Sequence, residues 1–66
     1  MAWRQISYGL AGQHSVEAEG VRHTLIKRDV KIQGSDLPGY VYQNTKHPNR
    51  HIIVASNGMF MPWTKK

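Results

Sequence analysis

The chain contains no cysteine, which removes the disulfide staples and thiolate zinc knuckles that commonly stabilise chains near this size. It has no acidic residue after Asp36. No apolar run approaches the roughly 18 to 20 residues needed to span a bilayer as a helix. The opening Met1-Ala-Trp-Arg-Gln-Ile is broken at once by Arg4, Gln5 and Ser7 and does not read as a secretory signal. The expectation is a cytoplasmic, unprocessed chain without membrane contact. Catalytic patterns are also missing: there is no Gly-x-Ser-x-Gly elbow, no thiol nucleophile, and the four acids form no evident pair. The reading is therefore non-enzymatic.

What remains is 66 residues with 39% hydrophobic content and a mean hydropathy of −0.55, values of a soluble globular protein rather than a disordered tail. Such a length makes one small domain, residues 1–66, which buries only about 60% of the surface its unfolded chain exposes. The net charge of +5 is unevenly spread. Up to Asp36, five basic residues face four acids, a balance of +1; from Leu37 onward Lys46, Arg50, Lys65 and Lys66 face none, leaving +4. A basic half of this kind favours an anionic partner.

Glycine and proline recur at short intervals and leave few windows long enough for a helix. Short strands fit better, and the expected fold is mainly β: a single antiparallel meander or open barrel of four to five short strands. Trp3 to Tyr8 alternates as a first strand. Between Ser15 and Ile32 two templates compete. A short helix over residues 15–28 would have a serine cap, Glu17 and Glu19 in its first turn, and Lys27 and Arg28 in its last. Against it stand Gly20 and the β-branched Val21, Thr24, Ile26, Val30 and Ile32. Strands are preferred, with Glu19-Gly20 as a turn, a bulge near Lys27-Arg28-Asp29, and an α+β sheet with one helix as the runner-up. Residues 33–39 read as a loop and Tyr40–Tyr42 as an aromatic strand. His51–Ala55 then leads into Asn57-Gly58, the strongest short-range signal for a hairpin.

Two regions carry candidate function. The polar stretch Gln43–Arg50 joins two apolar strands and supplies Asn44, Lys46, His47, Asn49 and Arg50, side chains that reach phosphates and base edges. Together with Lys65 and Lys66 they form the expected nucleic-acid-binding set, for DNA or RNA. The second region is the 52–63 hairpin. A two-residue turn at Asn57-Gly58 pairs Ala55 with Phe60, Val54 with Met61 and Ile52 with Trp63, which makes both faces apolar. One face then lacks cover, and Met59, Phe60, Met61 and Trp63 become a protein-interface set. His14, His23, His47 and His51 suggest imidazole ligation, but no cysteine or nearby carboxylate completes a tetrahedral set, so neither metal nor cofactor is expected.

Leu25-Ile-Lys-Arg-Asp-Val-Lys-Ile-Gln-Gly-Ser35, followed by Lys46-His-Pro-Asn-Arg50 and Ile52-Ile-Val54, is loosely similar to the small RNA-cleaving toxins of the HicA type. In that pattern a catalytic histidine directly follows the Gly-Ser step. Here the position is Asp36, so the residue that would carry cleavage is missing.

Three functions fit these features. The first is a small basic module that contacts nucleic acid through the 44–50 loop and the C-terminal lysines. The second is a compact inhibitor or adaptor, of the sort encoded by phages and mobile elements, that blocks a host protein through the hairpin or binds an acidic surface of its target. The third is one subunit of a homodimer or larger homo-oligomer. The concentration of unopposed positive charge favours the first.

Overall fold

The structure, a computed structural model, describes residues 3–32 and 38–63. Six strands form one antiparallel sheet: β1 (Arg4–Gln5), β2 (Ser15–Ala18), β3 (Val21–Lys31), β4 (Pro38–Asn44), β5 (His51–Ala55) and β6 (Met59–Trp63). Their order across the sheet is β1-β6-β5-β4-β3-β2, and the sheet curls into a half-barrel. The mainly β expectation holds, with six strands in place of four to five. No helix occurs among the described residues: the 15–28 segment is strand, turn and strand, because Glu19 and Gly20 both take positive φ, as a two-residue type I′ hairpin turn requires, and Ala18 pairs with Val21. No helix long and apolar enough to cross a membrane is present among the described residues.

The N-terminal segment meets both edges of the sheet. Arg4 and Gln5 pair with Phe60 and Met59 of β6, and Ile6 N–H donates to Gly58 O at 3.1 Å. Immediately after it Ser7 and Tyr8 N–H both donate to Glu17 O in β2, at 2.7 and 3.2 Å, and Glu17 N–H returns a bond to Tyr8 O at 2.9 Å. The expected first strand is thus two short pairings with opposite partners. On the far side, β3 contains two bulges, between Leu25 and Lys27 and between Lys27 and Val30, with Asp29 at φ 55°. Bulges sharpen the local twist, which lets an 11-residue strand follow the curve. Ile26 is the residue displaced outward by the first of them and is exposed.

The β5–β6 hairpin forms where Asn-Gly places it, but in a register one residue from that expected. Gly58 N–H bonds Ala55 O at 2.9 Å and Gly58 sits at φ 90°, so the connection is a three-residue loop, Ser56-Asn57-Gly58, with glycine in the left-handed position. Asn57 Oδ1 accepts from Met59 N–H at 3.1 Å. Val54 therefore pairs with Phe60, Ile53 with Met61, and Ile52 with Pro62. A one-residue slip moves every side chain of one strand to the other face. Phe60 consequently points into the barrel, with Val16, Ala18, Tyr42, Ile52 and Val54. Ile53 and Ala55 face outward with Val41 and Ile32, packed against Trp3, Val30, Met61 and Trp63. At 3% and 5% exposure, Ile53 and Ala55 are covered within the chain. The apolar face expected to need an external partner is already buried, by Trp3 from one end of the fold and Ile32 from the end of β3.

Tyr42 fixes the loop that follows Tyr8 onto this frame. Its hydroxyl donates to Gln13 O at 2.7 Å and accepts from Gly12 N–H at 3.0 Å, while its ring is fully buried. Burial raises the phenol's pKa above its ordinary value, opposed by the Gly12 hydrogen bond and the Arg28 charge. Gly39, at the start of β4, lies where a Cβ would stand 2.8 Å from Ile32 Cγ1 and 2.9 Å from the Ile53 side chain.

Two outcomes follow from this packing. Tyr42→Phe leaves the Gln13 carbonyl and Gly12 amide unpaired and lowers unfolding free energy in urea by about 1–3 kcal/mol. Because the folded-state pKa of Tyr42 is raised, its contribution is intact below the unfolded tyrosine value of about 10 and declines above it, so Tyr42→Phe shows a shallower alkaline loss. Gly39→Ala forces apart Ile32 and Ile53 and costs about 1–3 kcal/mol in the same assay.

Candidate nucleic-acid interface

The polar stretch between β4 and β5 is exposed and yet tied to the sheet at several points. Asn44 ends β4, and its Oδ1 accepts from Lys46 N–H at 2.8 Å and His47 N–H at 2.9 Å, which turns the chain. Arg50 N–H donates to His47 O, and Asn44 N–H to Arg50 O, closing the loop at its base. Thr45 donates through both its N–H and Oγ1 to Arg22 O, at 3.2 and 2.8 Å, so the loop is folded against the start of β3. Gln43 Nε2 adds a bond to Pro48 O. The long hairpin loop expected from composition is thus a shaped element that presents its cations from fixed backbone.

This loop borders a cavity of about 730 Å³ at one end of the half-barrel. The floor is made by inward-facing residues of the sheet, Ala18, His23, Ile52 and Phe60. Asn44 lines the wall, and His47, Asn49 and Arg50 reach the rim from the loop. His51 and Trp63 also border it, edge to face with ring centroids 5.8 Å apart and planes at 73°, Trp63 packing against the outer apolar cluster. Glu19 also lies on the rim, where Arg4 approaches its carboxylate at 3.6 Å; both side chains are well exposed, and such a pair contributes little to stability.

Of the expected nucleic-acid set, Asn44, His47, Asn49 and Arg50 come together around this cavity. Lys46 projects from the same loop and is exposed, outside the lining. Lys65 and Lys66 lie outside the described residues, as does Asp36. Of the expected protein-interface set, Phe60 is an interior residue at 2% exposure, which follows from the register of the hairpin. Met59, Met61 and Trp63 are half-buried, the last two packed against the outer apolar cluster.

No protein-family model matches the chain, and no curated protein or solved structure is significantly similar to it. The site is read from its own chemistry.

That chemistry includes residues the sequence pattern did not assign to binding. His23 is 4% exposed and lines the floor, with Nδ1 2.8 Å from Val21 O, a carbonyl that can only accept, so Nδ1 carries the proton. Its inward position was marked by the alternation Val21, His23, Leu25, where a histidine occupies an apolar slot. His23, His47 and His51 share the cavity, but among the described residues no group of three or more His, Cys, Asp or Glu side chains is placed to hold a metal ion.

The two bonds to Asn44 Oδ1 predict a local effect. Asn44→Ala frees the Lys46 and His47 amides, and their hydrogen exchange accelerates while β5 amides keep their protection; global stability falls by about 1 kcal/mol.

Proposed function

We propose that this chain is a small basic, non-enzymatic module that binds nucleic acid at the open end of its half-barrel. The observation that carries the reading is a cation at the mouth of a cavity at one end of the fold: Arg50, with His47 and Asn49 of the same loop, borders a concavity that Trp63 also lines. Arginine and asparagine are the side chains that bond phosphates and base edges, and an aromatic face stacks on any base. Lys46 beside them adds charge to the same loop, and Glu19, the acid on the cavity's border, faces Arg4 at 3.6 Å. A protein-blocking role through the 52–63 hairpin draws less support, since Phe60 and Ile53 are both buried within the chain.

Salt dependence tests the reading. Anisotropy of labelled DNA and RNA oligonucleotides, titrated at about 50 and 200 mM salt, should give a log-log slope that loses about 0.7 to 0.9 with each phosphate contact removed. Lys46→Ala and Arg50→Ala each weaken binding and flatten that slope. No binding at the lower salt overturns the proposal.

A further inference from the structure

Taking that reading as its basis, we infer that the ligand is an unpaired nucleobase carried on a single strand, seated in the cavity with its edge toward His23 and its phosphate toward Arg50.

Shape is the first argument. Reading base edges in the duplex major groove takes a convex element, a helix or two-stranded ribbon, that enters a groove about 12 Å wide. The β4–β5 connection carries Lys46 and Arg50 and is folded back onto Arg22 O through Thr45. Arg50 borders a hollow. Its volume of about 730 Å³ falls within the range, about 300–1,000 Å³, of small-molecule sites and has room for a nucleoside.

The floor supplies the second. With Nδ1 donating to Val21 O, Nε2 is the acceptor nitrogen of the uncharged imidazole form of His23. Among the described residues no buried side-chain nitrogen or oxygen lacks a partner, and no bond is formed to Nε2, so that atom opens onto the cavity. Asn44 has Oδ1 filled by two backbone amides, which leaves its amide nitrogen as donor. One acceptor and one donor are therefore set among the apolar surfaces of Ile52, Phe60 and Pro62. A flat molecule with apolar faces and a mixed donor-acceptor edge matches that arrangement, and an unpaired base is such a molecule. In a duplex the same edge is already paired.

The test compares ligands on the unaltered protein: a single strand, its duplex, the same strand with abasic sites, and free mononucleotides, followed by anisotropy or by tryptophan emission at about 50 mM salt. The single strand should bind at least about tenfold more tightly than the duplex, the abasic strand or any mononucleotide. Equal binding of the abasic strand or the duplex overturns the inference and leaves general nucleic-acid binding standing. Mononucleotides that bind as tightly as the strand also overturn it, in favour of a free nucleotide. Failure of every ligand overturns both. His23→Leu, checked for folding by circular dichroism, should weaken the single strand by about threefold to tenfold and narrow its preference among bases. Arg50→Ala should weaken all sequences alike. If His23→Leu folds and binds as the parent does, the placement of the base edge is wrong.

Discussion

Without β1, the strands β2 to β6 make an antiparallel sheet with two edges, each with a row of unpaired amides and carbonyls that invites another strand. In this chain residues 4–8 serve both edges, first β6 and then β2. Much else depends on that arrangement. Curling brings β6 within reach of β2's neighbourhood, encloses Phe60, Tyr42 and Val16 as an inner core, and brings Trp3 onto the outer face over Ile53 and Ala55. Without cysteine, the cohesion of so short a chain rests on apolar packing against both faces of the central strands. Each fully buried valine, isoleucine or phenylalanine contributes about 1.5–3 kcal/mol.

Local chemistry was legible in the sequence and long-range pairing was not. Asn57-Gly58 announced a hairpin, Glu19-Gly20 a tight turn, and Lys27-Arg28-Asp29 an interruption, all of which depend on residues adjacent in the chain. The hairpin register escaped because Asn-Gly serves a two-residue turn and a three-residue loop equally well; the choice rests on Gly58 alone taking the left-handed position there. That slip exchanged the faces of Phe60 and Met61, and with them the interior and the surface. The brief pairing of Arg4–Gln5 with β6 has no local signal, since its partner is near the other end of the chain.

The candidate site was legible on one side. Asn44, His47, Asn49 and Arg50 share a polar stretch, and their clustering around one cavity needs only that the stretch be a loop at the barrel's end. His23 and Trp63 come from β3 and β6, separated from the loop in sequence and joined to it by curvature of the sheet. Alternation marks His23 as inward but does not reveal that inward means a floor beneath four loop residues. Asn44 shows a further division of labour: its oxygen shapes the loop backbone while its nitrogen remains for a ligand, so one side chain couples the fold of the rim to its chemistry.

The pairing of Arg4 with Phe60 sets a temporal order during synthesis. While a ribosome is still making β6, residues 4–8 have already emerged, and their partner strand does not yet exist. The β2–β3 turn, whose contacts are local, can form early, whereas ring closure between the first and last strands waits for the final pairing and for the slow search that non-local contacts impose. Until then Glu17 can anchor Tyr8 on one edge while the other stands open, which makes the nascent chain a one-sided template for any passing strand.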